Sequence, residues 1–318
     1  MKMNRFQFQP GMSLSTFLAA YGEEQQCETA VESARWPRGF ECPVCGGRRH
    51  CCYRRGGVKV FQCSHCRKQT TLTEGTIFHS TKLALTQWFQ AMYLLTQNKN
   101  NVSALELMRF VGISYRSAWR LKHKLMQVMF EREKSTKLSD RVEVDDAYLG
   151  GELPGGKRGR GSENKVPFVA AVQTSQRKNP LYAVFSPVSG FSHEAVKDWA
   201  TQKLAPATTV VSDGLSCFSA VTHAGCTHDP HVVGKGRKSN AMECFTWVNT
   251  ILGNLKTAIT GTYHAFDFKK YPHRYLGEYQ YRFNRRFDLA AMFPRLLVAA
   301  TRTNRRPEAW LRSAEDWH

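Results

Sequence analysis

Three side chains with metal-binding oxygens occur at positions that a folded chain can bring together. Asp145 ends a strand-like Val-Glu-Val-Asp run, and Asp213 ends a second run of β-branched residues. Asn249 follows on a helical stretch with 35 residues between it and Asp213, and Lys256 comes one heptad later. Such oxygens bind hard divalent cations, and paired cations promote phosphoryl transfer on nucleic acid. The set predicts a catalytic site in which Asp145, Asp213 and Asn249 bind metal and Lys256 holds a phosphate or stabilises the leaving group.

The sequence leaves more than one candidate for the third metal ligand. A neutral amide oxygen is a weaker ligand for a hard cation than a carboxylate, and Glu143, Asp146 and Glu243 are acids that could compensate. Glu243 competes most directly with Asn249. Six residues separate them on one predicted helix, which is about 600° of rotation and places them on different faces. Only one of the two should face the metals.

Two CxxC pairs, with 17 residues between them, mark a second candidate metal site. Two residues between cysteines let both sulfurs reach one ion, and the double pair is typical of a structural zinc ribbon. The alternative is a redox dithiol, which the paired motif and the lack of a βαβ context disfavour. Between the pairs, residues 58–62 alternate like a strand. The predicted zinc ligands are Cys42, Cys45, Cys63 and Cys66.

Composition indicates a polyanionic partner. Lys and Arg number 45 against 26 acidic residues, a net charge of +19, and nucleic acid is the common partner of such an excess. The longest apolar runs are too short to span a bilayer, so no membrane is expected. The start of the chain reads as a helix and not as an export signal. We therefore expect a cytoplasmic, nucleoid-associated protein whose ten cysteines remain reduced.

Helical periodicity before the first aspartate predicts helices at residues 80–99, 104–110 and 115–130. A short glycine-containing turn followed by a basic helix fits a helix-turn-helix, and the alternative is a plain helical hairpin. A glycine-rich basic loop at residues 155–161 is read as a DNA-backbone-gripping loop, with a solvent loop as its alternative. The predicted DNA-binding residues are Arg116, Arg120, Lys122, Lys157, Arg158 and Arg160.

The remaining pattern predicts a mixed α/β domain that positions the metal ligands. Strands are expected at residues 142–149, 166–172, 181–185 and 208–212. Helices are expected at residues 193–204, 240–258, 268–286 and 289–301.

The motifs lie at residues 35–46, 142–151, 211–214, 247–256, 261–264, 274–276 and 281–286. Together they resemble bacterial insertion-sequence transposases of the DDE superfamily, in the ISXO-like group with an N-terminal zinc ribbon. Asp145 and Asp213 take the first two catalytic places, and Asp146 stands where a glutamate is common. Asn249 stands where many relatives carry glutamate, and a subgroup with asparagine followed by lysine is similar to this chain.

The resemblance implies an RNase H-like catalytic core, with a mixed sheet flanked by helices, preceded by the zinc ribbon and the helix-turn-helix-like module. It implies cleavage at transposon ends and transfer of the 3′-hydroxyl to target DNA, using Mg²⁺ (or Mn²⁺). The partners would be double-stranded terminal repeats, target DNA and further copies of the chain. The alternatives are a non-catalytic DNA-binding regulator or domesticated transposase, and a general RNase H-like nuclease. The expected divisions are an N-terminal arm 1–26, ribbon 27–75, helical module 76–135, catalytic domain 138–303 and tail 304–318.

Overall fold

The computed structural model describes residues 8–150, 165–232, 243–263 and 268–316. The chain divides into two compact units. The first comprises the residues up to Val128 together with Arg286–Leu311, and the second comprises Met129–Arg285 together with the residues from Arg312 onwards.

The first unit combines a small three-stranded antiparallel sheet with helices. An aromatic cluster forms part of its core, in which Phe17, Tyr21, Phe89 and Phe293 pack with ring centroids 5.0–5.7 Å apart. Its elements are α1 (Leu14–Tyr21), α2 (Glu24–Arg35), β1 (His50–Arg55), β2 (Val58–Cys63), β3 (Gln69–Thr71), α3 (Leu85–Gln97), α4 (Ala104–Val111) and most of α5 (Tyr115–Glu133).

Helix α3 begins at Leu85 and not at residue 80 as predicted. Ser80 has a left-handed φ of 54°, which is incompatible with the first turn of a right-handed helix. The free N–H groups of Leu85 and Thr86 donate instead to the Glu24 carboxylate, at 2.7 and 3.0 Å. A carboxylate from α2 therefore caps α3 and places its start.

Helices α4 and α5 meet at a short turn. Ser103 and Glu106 form a reciprocal capping box at the start of α4. Gly112 ends the helix with a left-handed φ of 69°, a conformation that glycine adopts without a steric cost. The two predicted helices are thus confirmed, with α5 extending to Glu133.

The second unit contains a five-stranded mixed sheet, and the predicted α/β class is confirmed. The strand order is β6-β5-β4-β7-β8: β4 pairs antiparallel with β5, β5 antiparallel with β6, and β7 parallel with both β4 and β8. The strands are β4 (Arg141–Leu149), β5 (Val166–Thr174), β6 (Pro180–Pro187), β7 (Thr209–Ser212) and β8 (Thr227–Pro230). Strand β8 escaped prediction because its sequence, Thr-His-Asp-Pro, has no apolar alternation.

Helices cover both faces of this sheet. Val142 and Val144 of β4 point into a core covered by α6 (His193–Lys203) and a 3-10 helix (Ser216–Ala224). Ala147 and Leu149 point to the other face, which α7 (Thr246–Thr260) and α8 (Pro272–Asn284) cover. Since side chains alternate along a strand, Glu143 and Asp145 belong to the α7 face.

The free edge of β6 is covered by side chains of α8. The backbone N–H groups of Ala183 and Phe185 donate to Asn284 Oδ1 and Gln280 Oε1, at 2.8 and 3.0 Å. These bonds satisfy edge groups that would otherwise be open to further strand pairing. Helix α8 begins at Pro272, four residues later than predicted, with proline in the first turn where its missing N–H has no cost.

Two further helices follow α8 in the chain, α9 (Met292–Arg302) and α10 (Glu308–Arg312). No helix within the described ranges has the length and hydropathy required to cross a bilayer.

Candidate functional site

The four predicted zinc ligands converge at the small sheet. Cys42 Sγ lies 3.5 Å from Cys66 Sγ, and Cys45 Sγ lies 3.6 Å from Cys63 Sγ. Tetrahedral zinc with Zn–S bonds of about 2.3 Å separates its sulfurs by about 3.8 Å, so the donor set fits the ion. Gly47 completes the cradle, because a Cβ there would lie 3.3 Å and 3.4 Å from two of the sulfurs.

The local backbone favours the thiolate form that zinc requires. Backbone N–H groups of Cys45 and Val44 donate to Cys42 and lower the pKa of its thiol to about 7. Backbone donors of Cys66 and His65 likewise lower the pKa of Cys63. At Cys45 the Gly47 backbone N–H also lowers the pKa, but contact with the Cys66 sulfur and burial outweigh it and raise that pKa to about 12. The metal-free cluster therefore favours thiolates at Cys42 and Cys63 and a thiol at Cys45, whose proton zinc would displace.

A three-carboxylate cluster lies in the second unit. One oxygen each from Asp145, Asp146 and Asp213 lies within 4.8 Å of the others. Asp145 and Asp146 are on β4, and Asp213 directly follows β7, the parallel neighbour of β4. Oxygens around one Mg²⁺ lie about 3 to 4.2 Å apart, so the carboxylates stand near ligating separation. The all-oxygen donor set fits a hard divalent cation.

Charge repulsion within this cluster is visible at Asp145. Burial first, and then the neighbouring charges of Asp146 and Asp213, raise the pKa of its carboxyl to about 7. The Lys256 ammonium and the Asp146 backbone N–H act in the opposite direction. A site that concentrates negative charge in this way is stabilised by a cation, and Lys256 lies close enough to act on Asp145 electrostatically.

Helix α7 presents the other predicted residues. Asn249 is half-buried and Lys256 is exposed, and seven residues on a helix place them about 20° apart on one face. Glu243 precedes the helix in a short 3-10 turn, is 90% exposed and lies 3.8 Å from Lys178. The single helix predicted for residues 240–258 is thus wrong over 243–245, and Glu243 is outside the carboxylate cluster.

The sequence left open whether Glu143 is an additional metal ligand. In the structure its carboxylate instead binds the start of α7. Its side chain is 1% exposed, and its Oε2 accepts the backbone N–H groups of Trp247 and Val248 at 2.9 and 3.0 Å. Its Oε1 accepts Arg141 Nη1 at 2.9 Å, and Arg141 Nη2 donates to the Cys244 carbonyl at 3.2 Å. Helix α7 has no side-chain cap of its own, so this pair joins its first turn to β4, the strand of Asp145.

The end of β7 is also fixed from β8. Ser212 is fully buried, and its Oγ lies 2.9 Å from His228 Nε2 on β8. Burial lowers the pKa of His228, which favours the neutral ring. The His231 backbone N–H donates to the Ser212 carbonyl at 2.8 Å. These bonds hold the chain directly before Asp213.

The predicted DNA-binding residues differ in their exposure to solvent. Arg116 is exposed and Arg120 is partly exposed, and both pair with Glu308. Lys122 is 2% exposed and donates to the Val102 carbonyl, so the proposed DNA contacts below omit it. Lys157, Arg158 and Arg160 lie outside the described residues.

Comparison with known proteins agrees with both sites. Residues 22–69 match the transposase zinc-ribbon domain, and residues 137–284 match the ISXO2-like transposase domain. These two matches confirm the resemblance to insertion-sequence transposases with an N-terminal zinc ribbon. It is similar to an uncharacterized protein in transposable element ISH50 of Halobacterium salinarum, at 24% identity over 289 residues that cover 81% of this chain and 93% of that protein.

The sequence indicated little about the positions of two acidic residues, Asp146 in the carboxylate cluster and Glu308 beside Arg116 and Arg120. Asp146 follows Asp145 directly, and strand alternation alone would send it to the opposite face. Strand β4 pairs with β7 only from Arg141 to Glu143, which leaves the edge open beside Asp146. Glu308 is far away in sequence, and no local pattern connects it to α5.

Proposed function

We propose that this protein is an active DNA transposase that binds insertion-sequence ends, cleaves the phosphodiester by two-metal catalysis and transfers the 3′-hydroxyl to target DNA. The observation that supports this most is the convergence of Asp145, Asp146 and Asp213 within a transposase-family domain. The +19 charge agrees with a DNA substrate.

The role proposed for each residue follows from the strand or helix that carries it. Asp145 and Asp213 would supply carboxylate oxygens from β4 and β7, and Asn249 would supply a neutral amide oxygen from α7. Bound divalent cations would neutralise the phosphodiester and activate the attacking oxygen. Lys256, on the Asn249 face of the helix, would orient a substrate phosphate or stabilise the leaving oxygen. The half-buried position of Asn249 and the exposure of Glu243 favour Asn249 as the third ligand.

An RNase H-like core is part of this proposal. Three antiparallel strands followed by two parallel ones, with helices on both faces and carboxylates at adjacent strands β4 and β7, support it. We also propose that α4 and α5 act as a helix-turn-helix, because the exposed start of α5 carries Tyr115 and Arg116. The five sequence divisions given above are kept as the proposed domain boundaries.

The direct test is metal-dependent cleavage of the element's own terminal repeats. The repeats are read from the DNA that flanks the gene, as inverted repeats bounded by short direct duplications. Wild-type protein should nick and join a terminal-repeat duplex with Mg²⁺ or Mn²⁺. Asp145→Asn and Asp213→Asn should bind the duplex and leave it intact. Asp198→Asn, an exposed aspartate on α6, is the matched control and should retain activity.

Each alternative predicts a different result. Binding without cleavage under any divalent metal would identify a DNA-binding regulator. Cleavage of unrelated duplexes without joining would identify a general nuclease. Dimers or larger assemblies on paired ends, measured by light scattering of the DNA complex, are expected because two ends must be joined.

A further inference from the structure

A basic pocket in the first unit has no part in the carboxylate site. Its volume is about 550 Å³. The turn before α3, the first half of α5 and the segment after α9 line it. Its charged residues are Lys82, Arg120, Lys124, Arg305, Arg306 and Glu308.

Positive charge predominates in this pocket, with five cationic side chains facing one carboxylate. Burial, and then the neighbouring Arg120 charge, lower the pKa of Lys124 to about 8. The Lys124 ammonium donates to the Ile77 carbonyl at 3.0 Å and lies 5.6 Å from the centroid of the Trp88 ring, and both of these partners are uncharged. Lys82 and Arg305 are exposed at the pocket. An anion that enters would be attracted by several cations at once.

Glu308 shows how an anion binds there. Its carboxylate accepts Arg116 Nε and Nη2 at 3.1 and 3.2 Å, and Arg120 Nη1 at 3.1 Å. Two parallel bonds from one guanidinium are the geometry with which arginine also binds phosphate. The side chain is 19% exposed, so solvent and solutes reach this position. The protein's own carboxylate thus occupies a phosphate-like position between two arginines of α5.

The side chains that line the pocket favour a phosphate ligand. Within the part of the chain that the structure describes, two aromatic rings line the pocket. Trp88 is 2% exposed and its Nε1 already donates to Thr81, while His79 is partly buried and its Nδ1 accepts the Gly75 backbone N–H at 3.1 Å. The accessible part of the described lining is mainly cationic, which suits the charge of a phosphate. Phosphate contacts position a duplex without reading its sequence.

We propose that this pocket binds a backbone phosphate of DNA, which displaces the Glu308 carboxylate from Arg116 and Arg120 and is also held by Lys82 and Arg305. The proposal rests on the proposed function, since it assumes a DNA substrate. It adds a defined phosphate subsite and an internal carboxylate that competes with DNA for it.

The test uses full-length protein and a 30-base-pair duplex of random sequence, because phosphate binding does not depend on sequence. Fluorescence anisotropy gives the affinity at several salt concentrations. Lys82→Ala and Arg305→Ala should each weaken binding about threefold to tenfold and reduce the slope of log affinity against log salt by about one. Glu308→Gln should strengthen binding about twofold to fivefold, the range expected for an exposed competing ion pair. Thermal melting checks that every variant is folded.

Matched controls come from an ion pair of the same unit outside the pocket, Arg295 with Asp288 at 3.5 Å. Arg295→Ala removes one positive charge, as Lys82→Ala and Arg305→Ala do, and Asp288→Asn removes one negative charge, as Glu308→Gln does. Both controls should leave the salt slope unchanged. If Lys82→Ala and Arg305→Ala behave like Arg295→Ala, the subsite is refuted, while metal-dependent cleavage would still support the transposase. If Glu308→Gln binds no more tightly than Asp288→Asn, displacement of the carboxylate is refuted. A wild-type protein that binds no duplex overturns both proposals.

Discussion

Glu143→Gln should disconnect the helix of Asn249 and Lys256 from the strand of Asp145. The native carboxylate accepts three hydrogen bonds, two from backbone N–H groups of α7 and one from Arg141. Glutamine has nearly the same shape but carries no charge. Its NH₂ group, a donor, must face one of the donors that the second carboxylate oxygen accepted.

The expected destabilisation follows from these three bonds. A hydrogen bond to a charged group contributes about 1.5–3 kcal/mol and a neutral one about 0.5–1.5 kcal/mol, so each bond loses about 1 kcal/mol. The total is about 3 kcal/mol, because Glu143 is 1% exposed and water cannot replace the lost acceptor. For a unit of this size that corresponds to a fall in melting temperature of about 6–12 °C.

The Mg²⁺ requirement for cleavage distinguishes a Glu143 that positions α7 from a Glu143 that only stabilises the fold. Assayed well below its melting temperature, Glu143→Gln should need more Mg²⁺ for half-maximal cleavage, because α7 positions the proposed third ligand. Leu204→Ala, a buried truncation on the opposite face of the sheet, should cost about 2–5 kcal/mol and leave the Mg²⁺ requirement unchanged. Wild-type stability and an unchanged Mg²⁺ requirement in Glu143→Gln would refute the reasoning.

The other predictions concern charge, zinc and packing. A carboxyl whose pKa is raised from 3.8 to about 7 in the fold stabilises below pH 4 and loses that stabilisation as pH rises to 7. Metal-free Asp145→Asn should therefore gain up to about 4 kcal/mol over wild type between pH 4 and pH 8 in urea unfolding, and a constant difference would contradict this. Removing zinc with a chelator, or Cys63→Ser, should expose the ribbon to limited proteolysis, and an intact ribbon would argue against zinc-dependent folding. Gly277→Ala should destabilise by about 1–3 kcal/mol, because its Cβ would lie 2.8 Å from Phe130 Cβ. Gly253→Ala, helical with open space around it, should stabilise by up to about 1 kcal/mol, and equal effects of the two would refute the packing argument.

Local patterns predicted the elements well where the signal is contained in neighbouring residues. The strand-like run of β4 and the start of α4 at Ala104 each depend on a few residues, and the structure has both as predicted. Prediction failed at helix starts that distant residues determine. Glu24 caps α3, and Glu143 caps α7, from elements far away in the chain.

The sequence by itself determined the four-cysteine cluster, the α/β class and the resemblance to a transposase domain, because ligand spacing and strand periodicity are properties of short segments. Only the tertiary structure decided which charged side chains are buried and which partners they contact. It placed Asp146 beside Asp145 and Asp213, buried Lys122, used Glu143 as a helix cap and set Glu308 against two arginines. The free energy of a charged side chain depends on the solvent it loses and the partners it gains, and both come from residues far apart in the chain.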